Sequence, residues 1–310
     1  MKMAHISDLH LNTEHKPKNL YYTQKLIEHA LQQNIHHLVI TGDITHNASE
    51  EDFKHMRRLL ESFGLLHSQK VSLVIGNHDI FGGVHLAEDI LTFPDRCRTV
   101  DDTNKIKQFQ YYFYETFLDC YHPFKSELFP YAKIIGDIVL IGMNSIAPYS
   151  TIKNLFASKG RVDKLHLQGL RQISQWNKVK ERLIVVLIHH HFGLTRKKEK
   201  QNLLENIENH HMKLRKRKKI IRIFQSLGVD LVLHGHVHIS NQYHKKGIHF
   251  VNAGATVEGF QRDFLYINFI EIAQQHIRVD IQQISKSSFH PVHTNKNTLK
   301  TPTGGTWIST

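Results

Sequence analysis

Cysteine is nearly absent from this chain. Two residues among 310, Cys97 and Cys120, exclude a disulfide scaffold and a cysteine-built zinc finger. They fit a reducing compartment. No apolar run approaches the roughly 18 residues that a membrane-spanning helix needs. The opening stretch, MKMAHISDLHLN, has no apolar leader segment, so a cytoplasmic location is expected. No internal repeat is visible. Positive charge and histidine are plentiful instead: 40 Lys+Arg stand against 28 Asp+Glu, a formal net charge of +12, with 26 His. At 40 % hydrophobic and 22 % charged, the composition is that of a globular protein with one large α/β domain or two small ones. The charge points to nucleic acid, anionic lipid or phosphorylated substrates. The histidines prompt a search for metal ligands.

Residues 3–7, 37–41 and 71–75 are short apolar runs, separated by helix-like segments at 21–33 and 49–63. This βαβαβ order predicts a mostly parallel sheet, with functional groups collected in loops beyond the strand C-termini. Residues 81–132 break the rhythm. They are aromatic and irregular, and read as an insertion or cap over one edge of the core. Strand runs resume at 132–135 and 138–143, then a helix at 163–180, a strand at 183–188, a helix at about 214–227 and a strand at 230–233. Runs at 242–244, 248–251, 264–272 and 276–284 read as antiparallel β. One domain over 1–285 is expected, with a loose tail at 286–310.

Five short strings follow apolar runs: Asp8-Leu9-His10, Gly42-Asp43, Gly76-Asn77-His78-Asp79, His189-His190-His191 and Gly235-His236-Val237-His238. Their shared position after strands places them on one rim of the sheet. Carboxylates, an amide oxygen and imidazoles suit borderline transition metals such as Mn, Fe, Zn, Co or Ni. The pairs Asp8/His10 and His236/His238 put two donors two residues apart, on one side of extended chain.

In these blocks the sequence resembles the calcineurin-like metallophosphoesterases, whose pattern is D-x-H, G-D, G-N-H-[DE], a lone H after a strand, and G-H-x-H. The resemblance runs over residues 8–238. It implies an α/β fold, a four-layer αββα sandwich carrying the inserted cap-like segment, with a two-metal site at one end. By motif, Asp8, His10, Asp43 and His238 would hold one metal. Asp43, Asn77, His189 and His236 would hold the other, so that Asp43 bridges. For the triple histidine the choice is His189, with His190 the competitor. His78 would act on the leaving oxygen, and Asp79 would fix the tautomer of His78. His46 is given no role. The implied activity is a metal-dependent phosphohydrolase, with Mn or Fe the preferred ions and a bridging hydroxide as nucleophile of an in-line displacement. Intact GNHD and GHVH blocks and the chain length look most like the class III cyclic-nucleotide phosphodiesterase branch. The runners-up are an SbcD-like DNA-repair exonuclease, a hydrolase of lipid-linked sugar diphosphates, and a non-catalytic interaction module on the same fold.

The basic charge is concentrated. Residues 196–219 carry ten Lys/Arg and three Glu, net +7, within an excursion at about 194–219. A phosphorylated small-molecule substrate is the expected partner. Nucleic acid or an anionic lipid surface are the alternatives for this segment.

Overall fold

The computed structural model describes residues 1–84, 87–193, 212, 214–259, 261–274 and 276–289. Strands β1 (Lys2–Ile6), β2 (His37–Ile40) and β3 (Val71–Leu73) run parallel, linked by α1 (Pro17–Gln32) and α2 (Glu50–Ser62). Pro17 opens α1 at a position whose N–H would have no intrahelical partner. Glu50, Glu51 and Asp52 in the first turn of α2 oppose its positive dipole end. Both helices bury one stripe at three-and-four spacing, Tyr22, Leu26, Ile27 and Ala30 on α1 and Phe53, Met56, Leu59 and Leu60 on α2. After β3 the chain makes a single helical turn, α3 (His78–Phe81).

The inserted segment is helical rather than irregular. It forms α4 (Ala87–Thr99), α5 (Asp102–Tyr112) and a short 3-10 turn (Tyr114–Phe117). Asp101 caps α5 by accepting from the Asn104 N–H at 3.0 Å. Its aromatic residues join the main core. Phe109 and Phe113 stand edge-on to Phe53 of α2 at centroid distances of 6.1 and 6.0 Å.

The second sheet comprises β4 (Tyr131–Ile135), β5 (Ile138–Met143), then, after α6 (Lys164–Ser174), β6 (Leu183–Ile188), and after α7 (Arg217–Ser226), β7 (Val229–His234), β8 (Asn241–Lys245) and β9 (Ile248–Asn252). Its spatial order is β4-β5-β6-β7-β9-β8. The C-terminal region is not wholly antiparallel as expected. The hairpin β8–β9 folds back at the sheet edge, which lays β9 parallel to β7. The chain then returns to the first sheet with β10 (Phe264–Ala273), antiparallel to β1, and β11 (His276–Ser285), giving the order β11-β10-β1-β2-β3.

Period-two alternation sorts the second sheet's side chains. Leu140, Val185, Leu187, Leu231, Leu233 and Val251 face the core shared with the first sheet. Val139, Ile141, Val186, Ile188, Val232 and Phe250 face the other way, against Leu170 and Ile173 of α6 and Ile221 and Phe224 of α7. The result is two facing sheets with helices outside. One buried charge ties the insertion to it: Lys133 Nζ donates to the carbonyls of Ser68 (2.8 Å), Val71 (2.6 Å) and Thr116 (3.0 Å), matching its three donors.

The expected tail begins with an ordered 3-10 turn (Lys286–Phe289), held by Lys286 N–H to the Asp263 carbonyl and by the Tyr21 hydroxyl to the Phe289 carbonyl. Residues 290–310, and most of the basic excursion (194–211 and 213), lie outside the described residues. No described helix is long and apolar enough to cross a membrane.

Candidate metal centre

Every block singled out in the sequence leaves the C-terminal end of a strand. Asp8 and His10 follow β1, Asp43 follows β2, Asn77 and His78 follow β3, His189 follows β6, and His236 and His238 follow β7. The first sheet brings four of the proposed ligands and the second brings three. The chain turns sharply to aim them. Asp8, His10, Asp43 and His236 all sit in the left-handed region, with φ of 53°, 46°, 49° and 71°. Each such non-glycine residue costs on the order of 1 kcal/mol, a strain typical of functional sites. The loops brace one another through Asp8 N–H to the Gly42 carbonyl and His10 N–H to the Asp43 carbonyl, both 3.0 Å. Two glycines permit close approach: a Cβ on Gly76 would lie 2.1 Å from Asp43 Oδ1, and one on Gly235 would lie 1.9 Å from Ser7 Oγ.

Among the described residues three donor groups form, and the third, His10, His46 and His78, shares His10 with the second of the two described below. In one, His189 Nε2 lies 3.3 Å from Asp43 Oδ2, 3.1 Å from Asn77 Oδ1 and 3.1 Å from His236 Nδ1. The other face of His189 is committed, because Nδ1 bonds the Thr41 carbonyl at 2.8 Å. With that nitrogen donating, the neutral ring has its lone pair on Nε2, where it converges with three further polar atoms; without a cation, a proton on Nε2 facing Asp43 takes that place. Such an arrangement calls for a cation, and the carbonyl behind the ring is the usual orienting partner of a metal-ligating histidine. The second group is Asp8, His10 and His238. His10 and His238 approach to 3.4 Å at Nε2, and His238 Nε2 lies 3.9 Å from Asp8 Oδ1. Nitrogen and oxygen donors with no thiolate fit Mn, Fe, Zn, Co or Ni in both groups.

The electrostatics agree with this. Burial works to raise Asp43, but the charges on His189 and His78 outweigh it and hold its carboxyl well below the usual range. Burial also acts to lower His189, yet the Asp43 carboxylate wins and raises it to about 9. Burial, reinforced by neighbouring imidazoles, keeps His10 and His236 well below the ordinary value and therefore neutral, the form that ligates. Asp8 is raised by burial, and the Asp43 charge adds to the effect.

His190 packs its ring 4.4 Å from that of His236. Its Nδ1 pairs with Ser145 Oγ at 2.8 Å, so the geometry places His189 rather than His190 against Asp43. His78 is aligned by its own backbone, its N–H donating to Asp43 Oδ1 at 2.8 Å. The tautomer partner expected for His78 is corrected. Asp79 does not touch it: Asp79 accepts from Thr45 N–H (2.8 Å) and Gly76 N–H (2.9 Å) and so clamps the two ligand loops together. The His46 carbonyl, 3.1 Å from His78 Nδ1, takes that place. Burial and the Asp43 charge raise Asp79 to about 7. His46, given no role from the sequence, packs its ring 5.1 Å from His78 and 5.4 Å from His10. Its position three residues after Asp43 was the available signal.

The model of the family described as calcineurin-like phosphoesterase matches residues 1–240. No curated protein matches the chain significantly. Among solved structures, a dimetal phosphatase from Danio rerio superposes with a TM-score of 0.61 at 10% identity, covering 92% of this chain and 98% of its own. A purple acid phosphatase from yellow lupin (Lupinus luteus) seeds gives a TM-score of 0.56 at 12% identity, covering 92% of this chain and 53% of its own. At these identities the likeness is one of fold.

Proposed function

This chain belongs to the calcineurin-like phosphoesterase family, and on that premise we propose that it hydrolyses phosphodiester or phosphomonoester bonds with a pair of transition metal ions. Asp8, His10, Asp43 and His238 would hold one ion, and Asp43, Asn77, His189 and His236 the other. The observation that carries this reading is the convergence of Asp43, Asn77 and His236 on a single nitrogen of His189. Bound there, the ions would supply Lewis acidity toward phosphoryl oxygens and a water of lowered pKa.

The chain's own residues do the rest. Asp43 presents both oxygens, one toward His189 and one fixed by the His78 N–H, so its carboxylate plane cannot swing. The His46 carbonyl accepts from His78 Nδ1 and keeps a proton there; with a second proton on Nε2, the imidazolium would give that one to the departing oxygen and be left neutral. Asp79 and the Thr41 carbonyl set the loops and the His189 ring in advance, so little reorganisation is left for the reaction. Intact GNHD and GHVH blocks support a class III cyclic-nucleotide phosphodiesterase-type branch.

The test is metal content together with turnover of bis-p-nitrophenyl phosphate, Mn and Fe being supplied. Two ions per chain, with turnover abolished in Asp43→Ala and in His236→Ala, are expected. His78→Ala should keep both ions and lose most turnover, more for poor leaving groups than for good ones. A protein that takes up no metal refutes the proposal, and equal losses for all leaving groups remove His78 from the role of acid.

A further inference from the structure

A chain of buried hydrogen bonds passes through both sheets and joins two of the loops that carry proposed ligands. It starts at the loop bearing His236 and His238, where Asn252, the last residue of β9, donates from its side-chain amide to the carbonyls of Val237 and Ile239, both at 2.8 Å. The Asn252 carbonyl accepts from Asn268 Nδ2 of β10 at 3.3 Å, and the same nitrogen lies 3.4 Å from His5 Nδ1 on β1. His5 Nε2 reaches Thr41 Oγ1 at 2.9 Å. The Thr41 carbonyl in turn accepts from His189 Nδ1 at 2.8 Å. Asn252, Asn268, His5, Thr41 and His189 are all 1% exposed or less.

Each link has a fixed direction. The Asn252 carbonyl only accepts, so the group that Asn268 turns toward it and toward His5 is the NH2, with one hydrogen for each partner. His5 Nδ1 is therefore the acceptor. Burial, with the His234 charge adding to it, holds His5 down to about 3, so the ring is neutral and carries its proton on Nε2, which donates to the Thr41 hydroxyl oxygen.

The peptide between Thr41 and Gly42 is what this chain secures. Gly42 has a φ of +93°, and a Cβ there would meet His189 Nδ1 at 2.7 Å, so glycine is required. Glycine restrains that peptide less than any other residue would, and the aim of its carbonyl rests on what grips Thr41. The Thr41 N–H is held by the Ile6 carbonyl at 3.1 Å, and Ser7 Oγ donates to the Thr41 carbonyl at 3.2 Å. The hydroxyl is the remaining handle, and His5 holds it. A leucine would fill the space of His5 without burying two ring nitrogens that cost free energy unless both are bonded.

We propose that His5 is a positioning residue of the metal centre: it acts through Thr41 to hold the His189 ring, and through Asn268 and Asn252 it ties that ring to the loop bearing His236 and His238. Partners of this kind fix the tautomer and orientation of a ligating histidine. The inference rests on the two-metal reading above, and its test separates the two.

The probe is Mn²⁺ alone, titrated by calorimetry into the metal-free full chain. Thr41→Val keeps the shape of the side chain and removes the hydroxyl. It should weaken one of the two Mn²⁺ affinities at least about tenfold, and Thr41→Ser should restore it. His5→Leu should cost about as much, and adding it to Thr41→Val should cost nothing further, because both break the same link. The visible absorption of the Co²⁺-loaded protein should shift in the same variants. Ser72→Ala is the control for mere loss of core bonding. It removes the hydroxyl 2.8 Å from His37 Nε2, at the other end of β2, and should lower the unfolding temperature while leaving the Mn²⁺ affinities and the Co²⁺ spectrum alone. A wild type that binds two ions and a Thr41→Val protein that matches it overturn this inference and leave the two-metal reading standing, as does an equal loss of affinity in Ser72→Ala. A wild type that binds no ion overturns both.

Discussion

Replacing Gly76 by alanine perturbs one atom at the place where the two carboxylate-bearing loops come closest. The added Cβ would stand 2.1 Å from Asp43 Oδ1 and 2.8 Å from Cγ, whereas ordinary contact begins near 3.4 Å, so the carboxylate must retreat by about 1.3 Å. Metal–ligand distances tolerate roughly 0.2 Å, so the proposed bridging residue would be displaced by about six times the tolerance. The obstacle is unforgiving because the Asp43 backbone nitrogen lies at 2.2 Å, and backbone yields less readily than a flexible side chain. Overpacking of this kind costs about 1–3 kcal/mol of stability. A misplacement approaching 1 Å costs on the order of 100-fold in rate. Gly76→Ala should therefore fold with a modestly lowered unfolding temperature, bind less than two ions per chain and lose at least about 100-fold in turnover of bis-p-nitrophenyl phosphate. Chelator should lower the wild-type unfolding temperature and shift the variant's less. Gly64→Ala is the control, for it meets nothing within 4 Å and pays only the left-handed backbone cost at φ +63°. A Gly76→Ala protein that holds two ions and turns over at the wild-type rate would refute Asp43 as the bridge.

Metal uptake should expel a proton. His189, raised to about 9 beside Asp43, is protonated at pH 7 in the metal-free protein and must be neutral to ligate. Apparent affinity should then rise about tenfold per pH unit up to near pH 9, read by calorimetry in buffers of different ionisation heat; no proton release at pH 7 would contradict this. Acid should destabilise the fold early. Burial drops His5 and His37 to about 3, while in the unfolded chain they bind protons below about 6.5. The unfolded state thus carries the extra protons between those values, so stability falls with pH, by about 2 kcal/mol per histidine at pH 5. His37→Gln should remove its share of that slope in chemical denaturation; an unchanged slope would refute the assignment. Lys133→Met strands three buried carbonyls and should cost on the order of 3 kcal/mol in the same measurement, and full stability in that variant would show that the buried ammonium's desolvation cancels its bonds.

The strands and the metal-centre rim were legible because both rest on local rules. Apolar runs at 3–7, 37–41, 138–143 and 183–188 coincide closely with β1, β2, β5 and β6, and a polar donor after each run lands on the same end of the sandwich. What escaped the sequence depends on distant partners. Phe109 and Phe113 gave 81–132 an irregular appearance because the surface they fit is Phe53, more than fifty residues away. Parallel pairing of β9 with β7 is decided by where the β8–β9 hairpin folds back, which no alternation pattern records. The true partners of Asp79 and His78 are backbone groups of residues 45, 76 and 46, and backbone groups leave no trace in residue identity.

The strand order of the first sheet sets when the molecule can become complete during synthesis. β1 emerges first, but the strand beside it, β10, follows some 260 residues later. Until then one edge of β1 lacks its neighbour, and Ser7, next to Asp8, lacks the Thr256 contacts that hold both its N–H and its carbonyl. A nascent chain released only as far as residue 240 would display every proposed ligand and still lack the Thr256 contacts to Ser7 beside Asp8. Loading of the proposed ions would in this sense come late in folding, and a truncation that spares all five motifs but removes β10 should yield a protein that exposes a strand edge and aggregates.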